Sequence, residues 1–448
     1  MDAALADRLL ASIEADALVL LCGAGLSLAA PSNLPSARRM AEQCASKYQH
    51  ITGTSLPDDL RLDLGNLAQF FYDQQTLQAL FLRQLVEWAP FLGSPNVGHE
   101  AIADFLACKA IMLGVTTNVD ALIENAAKQL GEPDFRAAVI PPDLNTRSEH
   151  APLLKLHGCA NRSRDDTVWC VGQLEHEPVR GQLESFRTWL TAQLQQRDLL
   201  VIGFWSDWAY LNRSLAVAVV GTEPRSVTLV DPDDPAALQQ KAPELWDWAH
   251  SGAVHFHHVQ EHGEVFLNEL RTRFSHQFVK RLIDNARPEY ERRVGPCGPA
   301  LDTILDHLQT LDLYNLRRSF CGEPLTAPAR RKRPGPDQIV IGVVHLSLVG
   351  SGAVLNCGRY NLQGRTIRIL LASGQFLSSF RGLFEHEPPA ISTADMTICV
   401  GAYDDGGVPA NIVRSAEDAN IVRGGTQGEW VTETAFFAEM EAADESHA

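Results

Sequence analysis

The sequence predicts a parallel α/β sheet flanked by helices, followed by a separate, mostly β domain at its C-terminal end. Three observations predict it. Short apolar runs alternate with helical patterns up to about residue 275, as in successive β-α-β units. Those runs stop at glycine, asparagine, histidine or aspartate, the residues of strand-end loops. A basic, proline-rich stretch, "APARRKRPGPDQ" at 327–338, then precedes segments with few helix signals. The expected division is 1–280 for the sheet domain, 281–338 for a helical segment and linker, and 339–448 for the β-rich domain. A chain of 448 residues exceeds the size at which one core stops growing, so two or three domains are expected.

The first element is a helix in "MDAALADRLLASIEAD", with Leu5, Leu9, Leu10 and Ile13 on one face; the stretch is acidic and does not read as a signal peptide. Strand candidates follow at 17–22, 111–116, 152–156, 198–202 and 226–230, with 253–258 as a further one. Helical patterns lie between them, the longest within 59–89, and the chain reads as helical again over 262–293 and 300–318. Beyond the linker, 339–349, 366–372 and 396–401 read as β-rich, and the acidic end "EMEAADESHA" as frayed. The basic cluster reads as a solvated linker or as a docking site for an acidic partner.

A net charge of −17 argues against broad nucleic-acid binding, and no direct nucleic-acid site is evident. Nine scattered cysteines without a C-x-x-C pair suit reduced thiols better than disulfides. No apolar run approaches the ~18–20 residues of a membrane span, so a cytoplasmic protein is expected.

The first candidate strand runs into Gly23-Ala24-Gly25-Leu26-Ser27. Glycines there let backbone N–H groups approach a pyrophosphate, or simply make a tight turn. The third glycine of the dinucleotide fingerprint is absent, with Leu28 in its place. The next candidate strand ends in Thr116-Thr117-Asn118-Val119-Asp120 before the helical "ALIENAAKQL", where Asn118 or Asp120 faces a ligand or caps the helix. The one after ends in Lys155-Leu156-His157-Gly158, where His157 is catalytic or structural. In an open α/β sheet these strand ends share one ligand crevice.

In this order GAGLS, "NLPSAR" with Pro35 and Arg38, TTNVD and His157-Gly158 resemble the motifs of the sirtuin family over about residues 15–275. The resemblance implies a Rossmann-like sheet that binds NAD+. On it Gly23, Ala24, Gly25 and Ser27 hold the phosphates and Arg38 lies on a mobile loop over the ligand. Asn118 and Asp120 face the nicotinamide and its ribose, Thr117 is a further cofactor-binding position, and His157 is the general base. Gly203, Ser206 and Asp207 fall in "IGFWSDWAYL", where the family carries a GTS-type loop, and Gly203 and Ser206 are its cofactor-binding positions. Asp231, ending "SVTLVD", is placed for an adenosine ribose hydroxyl or for a turn.

The departures matter. Family deacylases hold a zinc lobe with two CxxC pairs, whereas Cys159, Cys170 and His176 make an incomplete set here, so no zinc is expected. The family's glutamine is replaced by Thr117. The pattern looks like the sirtuin-like domains of bacterial antiviral defence effectors, which hydrolyse NAD+ itself. That likeness implies an NAD+ hydrolase in abortive infection, with NAD+ as substrate. It also implies a homo-oligomer and a co-encoded partner (ATPase, nuclease or Argonaute-like), with the C-terminal domain regulating. The alternatives are a deacylase or ADP-ribosyltransferase, and a noncatalytic NAD-binding sensor.

Overall fold

The structure is a computed structural model that describes residues 1–145, 148–162, 164–204, 224–252, 254–296, 305, 307–387, 393–405 and 428–447. The chain forms two compact units, 1–129 with 133–268, and 130–132 with 269–448.

The first unit is built on a six-stranded, all-parallel sheet: β1 (Leu18–Cys22), β2 (Leu113–Thr116), β3 (Leu153–Lys155), β4 (Asp198–Ile202), β5 (Ser226–Val230) and β6 (His255–Val259). Their order in the sheet is β3-β2-β1-β4-β5-β6, that of the doubly wound dinucleotide-binding fold. The four strands β1, β2, β4 and β5 are buried along their whole length, as expected where helices cover both faces of a parallel sheet. The expected 198–202 and 226–230 match β4 and β5, and the other four candidates are displaced or shortened by one to two residues at their ends. The order reverses between β1 and β4, which places their carboxyl ends at the topological switch point.

Helix Ala3–Glu14 buries Leu5, Leu9, Leu10 and Ile13, and the Asp2 side chain caps it through the Leu5 N–H at 2.8 Å. The 59–89 pattern resolves into three short helices, Asp58–Leu62, Leu64–Asp73 and the π-helical Leu77–Leu85. They pack with Ala37–Thr52 into an aromatic core of Phe71, Phe81, Trp88, Phe91 and Trp169. No helix among the described residues is long and apolar enough to cross a membrane.

The second unit holds a five-stranded sheet ordered β11-β10-β9-β8-β7. Its strands are β7 (Val354–Asn356), β8 (Arg359–Leu362), β9 (Arg365–Leu371), β10 (Met396–Val400) and β11 (Glu429–Thr432). The first three pair antiparallel and the last three parallel. Three expectations are corrected here. Residues 339–349, expected as a β-rich run, form the helix Ile339–Gly350. It is buried along nearly its whole length (Ile341 through Leu348), and a run apolar on every side carries no period to distinguish helix from strand. The 327–338 stretch is packed rather than a solvated linker. Ala329 and Gln338 are fully buried, Gln338 donates to the Phe320 carbonyl at 2.6 Å, and Arg330 and Arg331 pair with Glu132 and Asp337. The acidic end, expected as frayed, is helical over Glu433–His447.

The compact units divide at 268/269, and residues of the expected helical segment share one core with the second sheet. Leu313, Leu316 and Phe320, on helix Thr310–Phe320, are buried together with Ile341, Ile369 and Ile398. Phe320→Ala should therefore cost about 3–5 kcal/mol and lower the amide-exchange protection of β9 and β10. Unchanged protection there would make 310–320 a separable segment.

Candidate active site

The switch point is shaped first by backbone contact. Gly23 N–H donates to the Ile202 carbonyl at 3.0 Å and Gly25 N–H to the Gly203 carbonyl at 2.9 Å. A Cβ on Gly23 would lie 2.6 Å from the Gly203 oxygen, and one on Gly203, at φ +59°, 2.6 Å from the Leu26 nitrogen. These glycines let the loops after β1 and β4 touch. The N–H groups of Gly23 and Gly25 are thus used within the fold.

Over this contact opens a pocket of about 620 Å³, within the range of small-molecule sites. Gly23, Ala24, Gly25, Thr117, Gly203 and Asp231 all line it. His262, Gly263 and Glu264 also line it, at the start of helix Gly263–Arg293. The first N–H groups of so long a helix, together with its dipole, favour an anionic group there. Asp231 is 6% exposed at the end of β5, accepts the Asp233 N–H at 2.9 Å, and burial raises its pKa.

Behind the loop lies a buried polar network. Ser27 is fully buried and its Oγ donates to Asp120 Oδ2 at 3.0 Å. The same Oγ lies 3.2 Å from His99 Nε2 and accepts from Asn118 Nδ2 at 3.4 Å. The Asn96 N–H donates to His99 Nδ1 at 3.2 Å, which fixes the proton of the neutral ring on Nε2, facing Ser27. Asp120 Oδ1 accepts the Leu122 N–H at 3.2 Å, so Asp120 also caps the following helix. Asn96 Nδ2 donates to the Leu26 carbonyl at 2.8 Å, tying helix Val97–Ala107 to the loop. Neither Asn96 nor His99 was singled out from the sequence. The available signal was "PNVGHEAI", an asparagine three residues before a histidine at the head of an apolar helix.

His157 is 6% exposed rather than open to a crevice, and burial lowers its pKa to about 4, so the ring is neutral near pH 7. His99 is likewise lowered to about 4 by burial. Next to them Lys155, at the end of β3, is buried with Glu124 at 2.8 Å. Its Nζ also donates to the Asp120 carbonyl and reaches Cys159 Sγ at 3.3 Å. Burial opposes its charge, but Glu124, Cys159 and Asp120 outweigh it and hold the pKa above the ordinary value. Cys159 thus belongs to this cluster, while Cys170 heads the short helix Val171–Glu175. Arg38 stands apart: it is the second residue of helix Ala37–Thr52, exposed and paired with Glu42 at 3.4 Å. Ser206 and Asp207 lie outside the described residues.

The fold and this site define a class, a doubly wound dinucleotide-type unit with a polar strand-end crevice. Residues 113–250 match the family model of a SIR2-like domain. No protein of curated function matches the chain. Among solved structures it is similar to a Sir2 homologue–NAD complex, at 17% identity and a TM-score of 0.35, covering 59% of this chain and 91% of that one. A mutant Sir2 homologue with 2′-O-acetyl ADP ribose gives 18%, 0.34, 60% and 95% for the same quantities. Sir2Tm bound to a propionylated peptide gives 14%, 0.34, 59% and 96%.

Two outcomes follow from the burial. Ser27→Ala leaves His99 Nε2 and Asp120 Oδ2 without their shared hydroxyl, and should cost about 1–3 kcal/mol in urea unfolding. Both histidines have folded-state pKa values near 4, below the about 6.5 of an unfolded chain. Their contribution is full above pH 6.5 and is lost as pH falls toward 4, because the unfolded rings take up protons first. Each accounts for roughly 3 kcal/mol over that window. Urea midpoints from pH 7 to 4 should fall, and fall less in His99→Gln or His157→Gln; equal slopes would contradict the burial.

Proposed function

We propose that the chain is an NAD+ hydrolase that breaks the bond between nicotinamide and ribose. The observation that carries this reading is the pocket at the switch point, lined by Gly23–Gly25, Thr117, Gly203 and Asp231, with the Asn118 amide held behind it by Ser27. The SIR2-like match and the GAGLS, TTNVD and His157-Gly158 motifs support NAD+ as the substrate.

In the reaction the C1′–N bond breaks and its electron pair leaves with nicotinamide. A water oxygen bonds to C1′ and its proton passes to His157. A base with a pKa near 4 is neutral and ready to accept. It suffices because water adding to an oxocarbenium-like carbon becomes a strong acid as the bond forms. Asn118 orients the water or the ribose hydroxyls, and Asp120 stabilises the developing positive charge. Phosphates meet the head of helix Gly263–Arg293 and the loop residue Ala24. Asp231 takes a ribose hydroxyl. Cys159, placed in the Lys155–Glu124 cluster, favours this reading over protein deacylation. We further propose an effector role in antiphage defence, with the second unit, oligomerisation or a partner as the control.

Incubation with NAD+, with and without an acetylated peptide, tests the reaction: nicotinamide and ADP-ribose should form without peptide. Peptide-dependent turnover would favour the deacylase. His157→Ala should reduce release by ~10²–10⁴-fold. Asn118→Ala should be as inactive while its NAD+ Kd stays within about tenfold, roughly 1.4 kcal/mol. Wild-type rates in either variant would overturn the assignment.

A further inference from the structure

We infer that the first unit carries a second ligand site, an open depression lined by Asn161, Arg162 and Arg164 that takes the phosphate or carboxylate of a small molecule. Its volume is about 530 Å³, and Leu92, Ala160 and Asp165 complete the lining. It shares no residue with the pocket at the switch point. The loop after β3 supplies every lining residue except Leu92, which ends the short helix Pro90–Leu92. The Ala160 N–H ties that loop to the Val119 carbonyl at 2.7 Å.

The donors are oriented before a ligand arrives. Arg164 Nε donates to the Ala160 carbonyl at 3.2 Å, and its guanidinium lies 5.3 Å from the centre of the buried Trp88 ring. These two contacts fix the guanidinium, whose terminal nitrogens make no ion pair among the described residues. Asn161 turns its side-chain oxygen to Cys159 Sγ at 2.9 Å, so its amide nitrogen, a donor, faces away from that sulfur. Among the described residues the other charges of the lining are matched. Arg162 pairs with Asp143 at 2.6 Å, and Asp165 takes two bonds from Arg83, one of them at 3.2 Å. One guanidinium edge and one amide donor are left over. Such an edge binds a phosphate or carboxylate through two parallel bonds, and holding it in place beforehand lowers the entropy cost of binding.

Calorimetry of the full chain at low salt tests this with inorganic phosphate and acetate as the probes. At least one of them should bind saturably. Arg164→Gln should weaken that binding by about tenfold while the urea midpoint stays close to that of the parent chain, since Arg164 is exposed. Asp165→Asn takes a carboxylate out of the lining and should strengthen binding by about threefold. Tighter phosphate binding identifies a phosphate-bearing ligand, and tighter acetate binding a carboxylate-bearing one. Phosphate held only at the switch-point pocket would keep its affinity in Arg164→Gln, and that result would overturn the inference. Absence of saturable binding by either probe, or weaker binding in Asp165→Asn, would overturn it as well.

Discussion

The candidate site depends on two strand ends that approach more closely than side chains allow. Gly23 and Gly25 after β1 lie against Gly203 after β4, with backbone atoms where Cβ atoms would be. The parallel register of these strands brings the loops level, since Cys22 lies opposite Ile202. The contact turns Ser27 inward and leaves Ala24 and Leu28 on the pocket wall. A glycine motif that in isolation suggests phosphate cradling is first a packing device here. Its use as a packing device then creates the cavity in which a ligand can sit.

The polar groups behind that wall are costly to bury, and the structure offsets the cost by pairing them. Ser27 Oγ accepts from His99 and Asn118 and donates to Asp120, so its hydroxyl is fully used. Lys155 and Glu124 form a buried pair whose lysine also holds the Asp120 carbonyl. Such pairs contribute little net stability, but removing one partner strands the other. The cluster therefore acts as a positioning device, joining the end of β3 to helix Leu122–Gln129 and to the loop that carries Asn118. Burial keeps His99 and His157 neutral near pH 7, the protonation state the proposed chemistry needs.

Much of the first unit was legible because strands covered on both faces leave continuous apolar runs. The runs at 198–202 and 226–230 match β4 and β5 residue for residue. Asp231, Thr117, Gly203 and the glycine loop were legible as strand-end residues, and one pocket collects them. His99 was not, because a histidine inside a helix start looks like any other until the capping bond to Asn96 aims it at Ser27. The helix Ile339–Gly350 was misread because it is apolar all round, and periodicity vanishes when every face is buried. The basic stretch 327–338 was misread because Arg330 and Arg331 are paired by Glu132 and Asp337, the first of them distant in sequence. Arg38 looked like a ligand contact by motif, and its helix directs it to Glu42.

The central claim is that the switch-point pocket takes a dinucleotide. Amide hydrogen exchange of the full chain with and without NAD+ tests it most directly, since it needs no turnover and reports position. The account predicts slower exchange at Ala24–Ala29, at Thr117–Asp120, at Asp231–Asp233 and at the head of helix Gly263–Arg293. Protection confined to other segments, or none at saturating NAD+, would contradict it.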